Sequence, residues 1–123
     1  MKKEIVVLDR HPTTGNELRN MLAGQPYTVT LCNTIAECEE YFRNNACCAL
    51  ILDLDTVAID NRSIGRLKKN HPEISIIAKS ERTFHPELGE SMRSSIFACL
   101  AKPLDPDELS YWLKSLPQSN DGP

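Results

Sequence analysis

The sequence predicts an α/β fold, a doubly wound parallel sheet of five strands, from three observations. Short apolar runs alternate with amphipathic helical segments along the whole chain. The first and central strand-like runs are continuously apolar, as strands buried on both faces are, while the second alternates apolar residues with two threonines. Finally, 123 residues leave room for one domain and little else, and 41% hydrophobic with 25% charged residues is ordinary globular usage.

Ile5-Val6-Val7-Leu8 is the first strand. Thr14-Gly15-Asn16-Glu17 has the capping-box pattern, Leu18, Met21 and Leu22 follow at helical spacing, and Gly24 supplies the stop. Tyr27 to Leu31 is the second strand, and Thr34-Ile35-Ala36-Glu37 opens a helix that runs to about Arg43. Cys48 to Leu54 is the most apolar stretch and therefore the central strand. Asp60-Asn61 caps the third helix, with Ile64 and Leu67 facing inward. Ile74 to Ala78 is the fourth strand, Pro86 to Ser94 a weaker helix, and Ile96 to Ala101 the fifth strand. Asp105-Pro106-Asp107-Glu108 is a strong helix start, and Leu109, Trp112, Leu113 and Leu116 give that helix its apolar face. The domain is expected over residues 1–116, with 117–123 a disordered tail or truncated linker.

Composition also excludes functions. No apolar run reaches the roughly 18 residues a membrane span needs. Met1-Lys2-Lys3-Glu4 leads into too short an apolar run for a secretory signal. Five cysteines, an odd number with no Cys-x-x-Cys, point to reduced thiols in a cytoplasmic setting, with Cys32, Cys48 and Cys99 as small core hydrophobes. A net charge of -3 gives no electrostatic footprint for nucleic acid. His11, His71 and His85 each neighbour a proline and read as surface loop residues, without ligand or catalytic spacing. Arg62, Arg66 and Lys69, beside Lys68, make a basic stripe on the third helix that reads as a solvated face.

In doubly wound sheets, sites form beyond the carboxyl ends of the strands. Asp9, Asp53, Ser80 and Lys102 occupy those ends on strands one, three, four and five. Two carboxylates, an ammonium and a hydroxyl suit a divalent metal and a phosphoryl group: the carboxylates hold the metal, while ammonium and hydroxyl orient phosphoryl oxygens.

Val7-Leu8-Asp9-Arg10-His11-Pro12, Leu50-Ile51-Leu52-Asp53-Leu54-Asp55, Asp60-Asn61, Ser80 and Ala101-Lys102-Pro103, in that order, resemble the receiver domain of two-component response regulators over residues 4 to 116. The resemblance implies the flavodoxin-like (CheY-like) strand order 2-1-3-4-5. It implies Asp53 as phosphoacceptor, taking a phosphoryl group from a sensor histidine kinase, a phosphotransfer protein or a small phosphodonor. By the same resemblance Asp9 helps hold Mg2+ with Asp53 and the backbone carbonyl of Asp55. Lys102 pairs with the phosphoryl group, and Ser80 bonds it and moves, carrying the signal to the surface of helix four, strand five and helix five. That surface serves a target protein, an output domain or a second copy. The domain is then no enzyme beyond its self-catalysed phosphorylation and dephosphorylation.

Two residues depart from the family pattern. Arg10 stands where a second metal-binding acid is usual. Two unit charges ~5 Å apart interact by about 3 kcal/mol at an effective dielectric near 20, so Mg2+ binding should be weak. Either Asp55 turns its carboxylate inward to restore charge, or Arg10 reaches Asp53 or Asp55 and locks the pocket without metal, as a pseudo-receiver would. Cys99 stands where an aromatic switch residue is common, leaving Phe97 or Phe84 for that role. Val57, where proline is common, matters least. Thr13-Thr14-Gly15-Asn16 also resembles the phosphate loop of flavodoxins, a distant flavin-binding alternative set against only 6% aromatic residues.

Overall fold

Five strands form one parallel sheet in a computed structural model that describes residues 2–117. They are β1 (Lys3–Leu8), β2 (Tyr27–Cys32), β3 (Ala49–Asp53), β4 (Ser75–Ser80) and β5 (Ile96–Ala101), in the order β2-β1-β3-β4-β5 that was expected. The helices are α1 (Thr14–Met21), α2 (Ile35–Asn44), α3 (Asn61–Asn70), α4 (Gly89–Ser94), preceded by a 3-10 turn at Pro86–Leu88, and α5 (Pro106–Lys114). The tail expected at 117–123 lies, apart from Pro117, outside the described residues.

The continuous apolar runs explain the layering. Alternate residues of one strand point to opposite faces, so a doubly covered strand needs apolar side chains at every position. Val6, Leu8, Leu50, Leu52, Ile76 and Ala78 pack with Cys38 and Phe42 of α2, Ile64 and Leu67 of α3, and Met92 of α4. Ile5, Val7, Ile51 and Ile77 pack on the other face with Leu18 of α1 and with Leu109 and Leu113 of α5. Each such fully buried aliphatic side chain contributes about 1.5–3 kcal/mol through removal from water.

Local signals set most helix starts. Thr34 accepts from the Glu37 amide and Glu37 returns a bond to the Thr34 amide, the complete capping box. Asp60 caps α3 through the Ser63 amide, and Asp105 caps α5 through the Asp107 amide with Pro106 at the first helical position. At α1 the expectation fails. The helix takes in Thr14 as its first residue, so Thr13 is the N-cap and makes no side-chain cap bond, while the Thr14 hydroxyl donates to Asp9. Gly24, at φ +82, turns the chain into β2 through a conformation that disfavours other residues.

Further corrections follow from the strands. β4 extends through Ser80, two residues beyond the expected end, and so draws Lys79 into the sheet. Of the three cysteines expected in the core only Cys32 is buried. Cys48 is half-buried and Cys99 exposed, while Cys38 and Cys47 are buried instead. The cause at Cys99 is the edge position of β5: the register steps from Ile76↔Ile96 to Ile77↔Ala98, and Phe97 and Cys99 face outward. His85 is 5% exposed, against the expected surface loop, with its ring against Arg82. Lys68, beside the basic stripe of α3, donates to the carbonyls of Pro72 and Ile74 beyond the helix end.

Candidate functional site

The carboxyl edge of the sheet gathers the residues singled out from sequence. Asp9 follows β1, Asp53 ends β3, Ser80 ends β4 and Lys102 follows β5. The pairings Leu8↔Leu52 and Leu52↔Ala78 carry into the next row as Asp9, Asp53 and Lys79, with Asp53↔Lys79 registered directly. A carboxylate pair and an ammonium therefore share one row across three adjacent strands.

On the β5 side the chain brings Lys102 and Ser80 together with Asp53 and Asp55. Lys102 Nζ lies 2.5 Å from Asp53 Oδ1 and 2.7 Å from Asp55 Oδ2. Asp53 is fully buried, and among the described residues its Oδ1 has no other partner, so the ammonium is what compensates that oxygen. Burial opposes the charge of Lys102, but Asp53 and Asp55 outweigh it and hold the ammonium above its ordinary value. Ser80 Oγ donates to Asp55 Oδ1 at 3.1 Å and accepts from the Arg82 amide, while the Glu81 amide donates to Asp55 Oδ2. Burial would raise the Asp55 carboxyl, and Lys102, the Glu81 amide and Ser80 together pull it below the ordinary range. Asp55 thus turns toward Ser80 and Lys102. The Lys102–Pro103 peptide is cis.

On the β1 side the site departs from the expectation. Lys79 Nζ lies 2.6 Å from Asp9 Oδ2, with side-chain exposures of 8% and 2%. Asp9 also accepts from the His11 amide and the Thr14 hydroxyl. Burial alone would raise the Asp9 carboxyl, and Lys79, the His11 amide and Thr14 outweigh it, holding the group below its ordinary value. Thr56 fills the space between the two aspartates. Its hydroxyl is 2.5 Å from Asp53 Oδ2 and 3.2 Å from Asp9 Oδ1, and it accepts from the Arg10 amide. A hydroxyl carries one proton, and the shorter distance assigns it to Asp53. The Thr56 amide donates to the same Asp53 oxygen.

Arg10 is exposed, and among the described residues only its amide is bonded. The expected latch from Arg10 to Asp53 or Asp55 is absent, because Lys102 already holds both carboxylates. The ammonium that reaches the β1 carboxylate is instead Lys79, which an end of the fourth strand at Ala78 would place in a loop. A signal was present: Ile76-Ile77-Ala78-Lys79-Ser80 carries a charge inside a run buried on both faces, and such a charge demands a partner. Thr56, a plain loop residue by sequence, had no such signal.

The donor set can be tested against Mg2+. That ion demands near-octahedral oxygen ligands at about 2.0–2.1 Å and is held through one or two free carboxylates. Here every carboxylate oxygen of Asp9, Asp53 and Asp55 already faces an ammonium, an amide or a hydroxyl. Among the described residues no three His, Cys, Asp or Glu side chains are grouped to hold a metal ion. The residues as arranged do not fit Mg2+.

The phosphate-loop alternative finds its hydroxyl committed elsewhere, since Thr14 is bonded to Asp9. Phe84 is the most exposed aromatic residue, at 73%, while Phe97 stacks edge-on to Trp112 at 5.7 Å and Trp112 to Tyr111 at 5.3 Å.

No family model matches the chain, and no curated protein does. Solved structures do. The signal receiver domain of an HD domain-containing protein from Pseudomonas fluorescens superposes with a TM-score of 0.82 at 18% identity, over 94% of each chain. The chain has the fold of a response regulator receiver domain. A CheY-like receiver domain protein from Methanospirillum hungatei agrees, with a TM-score of 0.80 at 17% identity over 94% of this chain and 93% of that one. NtrX from Brucella abortus matches 94% of this chain with 26% of its own length, at a TM-score of 0.76 and 18% identity. Among the described residues no helix is long and apolar enough to cross a membrane.

Proposed function

We propose that this chain is a receiver-fold signalling module that engages its partner in one fixed state, independently of phosphorylation at Asp53. One observation carries the reading: the carboxylates that would hold a metal and accept a phosphoryl group are bonded to the protein itself. The Ser80 hydroxyl, the expected moving part, bridges Asp55 and the Arg82 amide. Asn61 supports the same rigidity, donating to the Glu87 carbonyl and accepting from the Ser91 amide and hydroxyl, which ties α4 to the start of α3.

The partner in this reading is a target protein or an output domain, met through the surface of α4, β5 and α5. Phe97 and Tyr111 are exposed there at 38% and 63%. The module performs no catalysis, and its setting is the cytoplasm.

A second reading keeps Asp53 as phosphoacceptor for a sensor histidine kinase or phosphotransfer protein. The position of Lys102 against Asp53, with Ser80 close by, favours it. Incubation with acetyl phosphate and Mg2+, followed by intact mass, separates the two, with Asp53→Asn as control. The fixed-state reading predicts an unchanged mass. One added phosphoryl group in wild type, absent from the control, overturns it in favour of the second.

A further inference from the structure

We propose that the Lys79 ammonium, backed by the Thr56 hydroxyl, replaces a divalent cation in this site, so that the folded protein takes up no Mg2+. The proposal rests on reading the sheet edge as a receiver-type site, and it stands apart from whether Asp53 accepts a phosphoryl group.

The argument is one of charge and place. Asp9, Asp53 and Asp55 with Lys102 carry a formal charge of minus two, which a divalent cation would neutralise. Lys79 reduces that to minus one and takes Asp9 for itself. Its ammonium reaches along the row that holds Asp53, from the strand on the far side, and no other hydrogen-bond partner faces it among the described residues. A buried ammonium cannot give up its only counter-charge without a large desolvation penalty. Thr56 closes the remaining gap: its hydroxyl stands between the two carboxylates, donating to Asp53 while its oxygen accepts from the Arg10 amide. An incoming cation would have to break the Lys79–Asp9 pair, displace Thr56 and sit beside a second buried positive charge.

The test is Mg2+ titration by calorimetry, with the thermal midpoint read with and without Mg2+. Wild type is expected to give no saturable heat across the millimolar range and no shift in midpoint. Lys79→Met removes the internal cation and frees Asp9. It should bind Mg2+ at least about tenfold more tightly than wild type and regain stability as Mg2+ is added. Lys79→Arg keeps a cation in place and should behave as wild type does. Saturable millimolar binding by wild type overturns the proposal, as does a folded Lys79→Met protein that takes no more Mg2+ than wild type. Should Lys79→Met fail to fold, the wild-type titration decides alone: binding overturns the proposal and its absence supports it. A wild type that binds Mg2+ yet gains no phosphoryl mass would refute the internal cation while leaving the fixed-state function standing.

Discussion

The two sides of the sheet's carboxyl edge obey different rules. Around β4 and β5 the residues singled out from sequence meet one another: Lys102 spans Asp53 and Asp55, and Ser80 lies within bonding distance of Asp55. Around β1 other residues take the ground, with Arg10 turned to solvent, Lys79 buried against Asp9 and Thr56 set between the aspartates. The contrast teaches that a fold can hold its site residues in register while their chemistry changes. Asp9 and Asp53 stand side by side in one row, yet one serves an internal ion pair and the other still faces the lysine expected of it.

The largest expected effect sharpens this contrast. Asp9→Asn leaves Lys79 buried without a counter-charge and should destabilise the protein by about 3–5 kcal/mol in chemical denaturation. Adding Lys79→Met to it should recover most of the loss, since no lone charge then remains. Equal costs for Asp9→Asn and Asp53→Asn would break the comparison, because Lys102 retains Asp55 when Asp53 is neutralised.

Lys102→Ala should cost less, about 2 kcal/mol, since its side chain is 24% exposed and water can partly replace it. The cost comes from the buried Asp53 oxygen left unpartnered. A cost as large as that of Asp9→Asn would mean that the two sides are equally sealed.

Acid should test both sides together. Asp9 and Asp55 are held below the ordinary 3.8, so they contribute stability that is fully present above that value and lost as pH falls through their lowered values. Lys102 is held above the ordinary 10.5, so its contribution is complete below that value and lost as pH rises through its raised one. Between these limits the three groups should add no slope to a plot of stability against pH. A slope near neutrality that Asp9→Asn abolishes would contradict the assignment.

The smallest effect belongs to Arg10. Its side chain is exposed, and Arg10→Ala should change stability by no more than about 0.5 kcal/mol. A larger loss would restore Arg10 as the latch.

Much of this was legible in the sequence because buried parallel strands and capped helices leave strong local patterns. Ile5 to Leu8 could be nothing but a strand covered on both faces, and Asp60 and Asp105 marked their helices by caps that form as read. The four strand-end residues were found because strand ends are where polar residues converge. Lys79 was lost through a boundary: ending the fourth strand at Ala78 put the lysine in a loop, where it needs no partner. Thr14 reads as a cap, yet the helix starts one residue earlier than that reading and the Thr14 hydroxyl finds Asp9 in the preceding loop. The contacts of Thr56 to Asp9 and of Asn61 to Ser91 cross the fold, and no spacing rule reveals them.

The most direct measurement is the backbone amide spectrum of the uniformly 15N-labelled protein, recorded alone, with Mg2+, and with Mg2+ plus acetyl phosphate. The account predicts three superimposable spectra, with the amides of Asp9, Asp53, Thr56 and Glu81 unmoved. Saturable shifts of those amides on adding Mg2+, spreading along the β4–α4 loop with acetyl phosphate, would show an open metal site and a working switch, and would contradict it.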